Sequence, residues 1–165
     1  MDKDTLLAVV DLSRTRLLAT LDTIEKSGQD LAKVLAWRPG PGRAHIAWQA
    51  MHCAATHDRY LNATLLKRPM ADDSLVASFA GGSVPSDSNV PDLPTIRAKL
   101  AATLEPFRKY LMEQSAASLE NSMPGPGGKP RTLAETCMIL AWHEAHHQGQ
   151  IHLTWNLYRA AHGLT

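Results

Sequence analysis

Two cysteines are all that the 165 residues contain, too few for the disulfide framework that holds small secreted domains together. Cys53 and Cys137 each fall inside an apolar helical pattern, the usual setting of a reduced, buried thiol. An excess of charge is missing too: 17 basic side chains face 16 acidic ones, with no long run of either sign. Such a chain has no field to attract nucleic acid or an anionic membrane, so its expected partners are small molecules or protein. No apolar stretch approaches the roughly 18 residues of a membrane span, and the opening MDKDTLLAVV has neither a basic n-region nor a small-residue cleavage site. Period-two alternation is absent and β-branched content is low, which leaves little to build a sheet from. The expectation is a cytoplasmic all-α protein whose residues 1–165 form a single domain.

Four segments carry helical periodicity, separated by Gly, Pro and Ser punctuation. The first spans about Asp4 to Lys26, with Leu6, Val9, Val10, Leu17, Leu21 and Ile24 as its stripe and Gly28 as its stop. The second follows WRPGPGR and runs from about Ala44 to Leu66, closed by Pro69. The third spans about Thr95 to Ala117, with a kink or break expected at Pro106. The fourth follows PGPGGKPRT and runs from about Leu133 to Ala161, with Thr132 as N-cap and Gly163 as stop. The sequence thus predicts a four-helix bundle. The connection from about Lys67 to Pro94 is too long for an antiparallel turn, even with a short helix in ADDSLVASFA. That length suits a crossover making the second and third helices parallel.

The stretch WHEAHHQGQIH holds four of the eight histidines. At about 100° per residue, His147 lies only about 40° round from His143 and one turn up, on the core stripe. His146 is intermediate and His152 comes out on the polar side. Two imidazoles at i and i+4 on a buried stripe can converge on one metal, but hold it weakly without a third ligand. In the second helix His52 is best placed, mid-helix, with Trp48, Gln49, Thr56 and Arg59 on its side. His57 faces about 140° away, a surface position beside Asp58. His45, at the helix start, is exposed to fraying.

His143 to His147 spell HExxH, the pattern in which two histidines hold zinc and the glutamate is general base. The extended metzincin pattern fails, because Gly149 and His152 each come one residue early, and no acidic residue follows His147. Glu144 lies at the margin of the core stripe, where a carboxylate meets solvent or a basic side chain of a neighbouring helix. A protease is therefore disfavoured.

AWQAMHCAATHDRYL in the second helix, with HEAHHQGQI in the fourth, resembles the DinB/YfiT-like family of small bacterial metal-binding proteins. The resemblance implies a dimeric four-helix bundle in up-down-down-up order. It also implies one divalent metal on three histidines, which fall on His52, His143 and His147. One departure is that many relatives carry an acidic residue a turn after the first histidine, where this chain has Thr56 and His57. Zinc or nickel suits imidazole ligands first, with iron or manganese as further candidates. Gln150, about 20° from His143, is a candidate to orient a water or a ligand ring, and Arg59 to reach an anionic substrate. The family implies a metal-dependent hydrolase or a transferase using a low-molecular-weight thiol. The alternative is a non-catalytic metal-binding or stress-response module. Trp142 and Trp155 fall outside the centre of the fourth helix's core arc and are candidates to meet another subunit.

Overall fold

The computed structural model describes residues 1–125 and 129–164; the centre of the PGPGGKPRT punctuation lies outside the described residues. Among the described residues six α-helices are present: α1 (Lys3–Glu25), α2 (Leu31–Ala36), α3 (Ile46–Arg59), α4 (Asp73–Phe79), α5 (Leu93–Met112) and α6 (Leu133–Ala161). The long ones, α1, α3, α5 and α6, make a four-helix bundle, as the apolar periodicity predicts.

Each long helix begins on a side chain that accepts from an otherwise orphaned backbone N–H. Asp2 takes that of Thr5, His45 that of Trp48, and Asp92 that of Thr95. At α6 the cap is reciprocal: Thr132 Oγ1 accepts from Glu135 N–H while the Glu135 carboxylate accepts from Thr132 N–H. The predicted bounds of α6 hold at both ends, and Gly163 follows with a φ of 65°. Pro106 does not break α5, which continues to Met112.

Several boundaries differ from the sequence expectation. The second helical run stops being α-helical at Arg59 and widens into a π-turn, Tyr60–Leu65. There the Asp58 carboxylate gathers donors from beyond the helix, accepting from Asn62 Nδ2 and from the backbone N–H groups of Ala71 and Asp72. The third helix ends at Met112, short of Ala117, because Ser115 Oγ accepts from Ser118 N–H and helps start a separate 3₁₀ turn, Ala117–Glu120. Two strands, β1 (Ser122–Pro124) and β2 (Pro130–Thr132), pair antiparallel; at three residues each they are too short to show alternation. The six-residue α2, capped by Asp30, was likewise too short for periodicity.

Side-chain bonds fix how the helices lie together. Arg14 and Thr20 of α1 meet Glu144 and Gln148 of α6, so the numbers rise together. Between α3 and α6 they run oppositely, Gln49 meeting His147 and His52 meeting His143. α1 and α5 also oppose, Asp11 meeting Arg108 and Asp22 meeting Arg97. The apolar core has two parts. One gathers Leu17, Leu21, Ile46, Ile96 and Ile151, and the other Val10, Leu104, Phe107 and Leu140. On α1 and α6 the polar residues Arg14, Glu144 and His147 fall between these two parts in sequence. Val9, expected on a core stripe, is exposed, whereas Trp155, expected to face outward, is buried against Tyr158. Trp155 lies on the flank of α6 that also carries Glu144 and Gln148, and α1 covers that flank.

Candidate metal centre

His52 projects from the middle of α3, and His143 and His147 from successive turns of α6. One nitrogen from each of the three lies within 4.8 Å of the other two, and no fourth histidine, cysteine or carboxylate joins the group among the described residues. The Nε2 atoms of His52 and His143 are 3.0 Å apart. Two imidazole nitrogens on one tetrahedral zinc, each about 2.0–2.1 Å from it, lie about 3.3 Å from each other. The donor set and its spacing therefore fit a divalent metal, with a position left open.

The outward ring nitrogens are held in the orientation ligands need. His52 Nδ1–H donates to the Phe79 carbonyl at 2.6 Å, which leaves Nε2 with a free lone pair. His147 Nδ1–H donates to Gln49 Oε1, with the same result. Trp48 stacks on the His52 ring at 4.8 Å and 8°. His143 Nδ1 is buried with no partner among the described residues. Burial lowers the pKa of all three, helped at His143 and His147 by the neighbouring imidazoles, to about 4 for His143 and about 3 for His147. At neutral pH the rings are therefore neutral, the form that binds metal.

Glu144 points elsewhere. It is 1% exposed, and its carboxylate takes both Arg14 Nε and Arg14 Nη2. Burial pushes its pKa up, but the nearby His57 and the Arg14 guanidinium outweigh this and bring it to about 2. Of the two settings expected for it, solvent or a basic side chain of a neighbouring helix, the second is what occurs. His57 is also a correction: it is buried, its Nε2 is 3.1 Å from Glu144 Oε2, and its ring meets the edge of Phe107. A position 140° from His52 is buried here because α3 touches α5 as well as α6, so more than one of its faces is inside. His45, expected to fray, is instead 1% exposed, capping α3 through Nδ1 and donating from Nε2 to Ser86 O. His152 is exposed, as expected, and His146 pairs with Gln150 at the surface.

A cleft of about 660 Å³ runs up to this group, with His147, Gln49 and Trp48 at its inner end and Gln150, Thr154, Leu153, Leu157 and Arg43 among its walls. That size is ordinary for a small-molecule site. Gln150 thus lines the approach. Thr56 is half-buried and Arg59 exposed, and neither lines the cleft. Gln49 shared the His52 face in sequence, a sufficient signal for its role. The Phe79 carbonyl, delivered by the end of α4, had none.

Residues 10–151 match the model of the DinB superfamily. No curated protein matches the chain. Among solved structures, the chain is similar to a conserved protein from Enterococcus faecalis, with a TM-score of 0.75 and 16% identity, covering 95% of this chain and 96% of that one. It is also similar to YfiT from Bacillus subtilis, described as "a probable metal-dependent hydrolase with an unusual four-helix bundle topology", with a TM-score of 0.67 and 17% identity, covering 99% of this chain and 89% of that one. At such identities these two likenesses show a shared fold. The family match spans most of the chain, from α1 through His143 and His147 of α6, and the chain belongs to the DinB superfamily.

Proposed function

We propose that His52, His143 and His147 hold one divalent metal, zinc or nickel before iron or manganese, and that the protein is a metal-dependent enzyme acting on a small molecule. The observation that carries this reading is the incomplete donor set beside an open cleft: three neutral imidazoles and no fourth protein ligand among the described residues. A site meant only to store or sense a metal is better closed by a fourth side chain. A bound metal would supply Lewis acidity at neutral pH. The chain's own residues do the rest. Gln49 and the Phe79 carbonyl fix two ligand rings, Trp48 shields one of them from water, and Gln150 and Thr154 offer polar atoms to a substrate in the cleft. Glu144 is committed to Arg14 and takes no part as a base.

The reaction is a hydrolysis or a transfer to a low-molecular-weight thiol, and the two are separated by presenting the metal-loaded protein with esters and amides in one set and electrophiles plus cellular thiols in another. The helix pairings support an up-down-down-up order, and a single cytoplasmic domain is the matching reading of the whole chain. We also propose a homodimer. Met138 and Trp142 lie one turn apart as an exposed apolar patch on α6, with Trp142 65% exposed. The metal assignment is tested by elemental analysis of alanine variants. His52→Ala, His143→Ala and His147→Ala should each lose metal, while His146→Ala and His152→Ala keep one ion per chain; retention in His147→Ala would overturn it.

A further inference from the structure

The cleft that ends at His147 has an uneven chemistry. Its walls carry apolar surface from Trp48, Leu153 and Leu157, neutral amide and hydroxyl groups, and one permanently charged side chain, Arg43; no carboxylate lines it. The Arg43 side chain makes no hydrogen bond or ion pair with any described residue, whereas Arg14, Arg38, Arg97 and Arg108 are each paired with a carboxylate. Arg59, the cation the sequence pointed to, is outside the cleft.

The backbone that presents Arg43 is tied down on both sides. Arg43 N–H closes a turn on Gly40 O at 3.2 Å, with Gly42 at a φ of 70° between them. Arg38 Nη1 donates to Arg43 O at 2.9 Å, while the same guanidinium bonds Asp87 and the Pro85 carbonyl. Two residues on, His45 caps α3 and holds Ser86 O at 3.0 Å. The segment is thus fixed against the crossover, so the backbone that carries Arg43 is held beside the cleft while its side chain is free to meet a ligand.

We propose that the cleft takes a small molecule with an apolar body ending in a carboxylate, and that Arg43 is the residue that recognises the carboxylate. This rests on the reading that the cleft is the substrate's approach to the three histidines. A planar guanidinium matches a carboxylate through two parallel N–H···O bonds. One permanently charged cation with no second one in the walls matches a single negative charge better than a phosphate dianion. The N-terminus of α3 adds no free anion site where His45 already occupies Trp48 N–H. Because Arg43 is exposed, its attraction is partly screened and falls with added salt.

Hexanoate and hexanamide, which share shape and differ in charge, are the probes. Each is titrated by calorimetry into the cobalt(II)-loaded protein, with the visible cobalt spectrum followed in parallel, and then into the metal-free protein. The expected result is that hexanoate binds roughly tenfold tighter than hexanamide, a preference of about 1.4 kcal/mol. It should persist without metal, shrink at high salt, vanish in Arg43→Gln and survive in Arg159→Gln, which lies at a different cleft. Equal or absent binding of the two probes overturns the proposal. So does a preference that survives Arg43→Gln while hexanoate alters the cobalt bands, since the carboxylate then binds the metal. If the wild-type chain takes up no cobalt, the metal reading fails on its own, and the metal-free titration still decides the role of Arg43.

Discussion

Replacing Glu144 by glutamine separates a structural carboxylate from a catalytic one. The substitution keeps the side chain's volume and removes its charge, leaving the Arg14 guanidinium buried without a counter-charge, its acceptors now the neutral amide oxygen and the Leu100 carbonyl. Two routes give the cost. The Glu144 carboxyl is lowered from 4.5 to about 2 in the folded protein; at about 1.4 kcal/mol per pH unit this is about 3 kcal/mol. Removing one partner of a buried ion pair costs about 3–5 kcal/mol by general experience. The sign is that of a depressed acid: the stabilisation is complete above the unfolded value near 4.5 and is lost as pH falls toward 2. Urea unfolding of the metal-free protein at pH 7, followed by circular dichroism, is the assay. With a slope of about 2 kcal/mol/M the midpoint should fall by about 1.5 M. Glu144→Leu combined with Arg14→Met, which removes both charges, should recover much of the loss. Folded Glu144→Gln should still bind one metal and keep any activity within roughly tenfold. A midpoint shift under about 0.3 M, or a thousandfold loss of turnover with stability intact, would refute this reasoning and return Glu144 to the role of base.

Gln49→Ala should weaken metal affinity by about 10- to 100-fold without abolishing binding, since it removes the acceptor that orients His147; a competition titration with a chromogenic chelator checks this. Sedimentation should give a dimer for the wild type and a monomer of 18.0 kDa for Trp142→Glu; a wild-type monomer at micromolar concentration would end the dimer reading. Both thiols should resist iodoacetamide at pH 8 until the protein is unfolded, because burial raises the Cys53 pKa well above its ordinary value and the Cys137 pKa to about 12. Mass spectrometry of the native protein showing rapid modification of either would contradict their burial.

What the sequence disclosed follows the range over which each signal acts. Long amphipathic periods and side-chain caps are local, so α6 could be bounded to the residue, and the register of His143 with His147 along one helix could be computed from its pitch alone. Short elements such as α2 and the β1–β2 pair hold too few residues for a period to register. Burial around a helix is not local at all. His57 and Glu144 each lie away from the stripe that carries His52, His143 and His147, and each is 1% exposed because a second neighbour, α5 for His57 and α1 for Glu144, covers that flank. A helix wheel drawn for one contact face places such residues outside by construction.

The same geometry explains why the HExxH letters occur here with the glutamate turned away from the two histidines. On any helix, residues i and i+4 share a face and residue i+1 is turned about 100° from i. In a protease that flank must be open over the metal for the glutamate to act as base. In this bundle α6 is the helix that α1 runs beside, in the same direction, and the flank bearing Glu144 is the one α1 occupies. Arg14 then meets the carboxylate as an ion pair buried on both sides, 6% and 1% exposed. The flank bearing Gln150 and Leu153 is instead left open to the cleft. Which helix packs against which thus decides that the cleft opens toward the three histidines from the side of Gln49, Gln150 and Arg43, and not from the flank that carries Glu144.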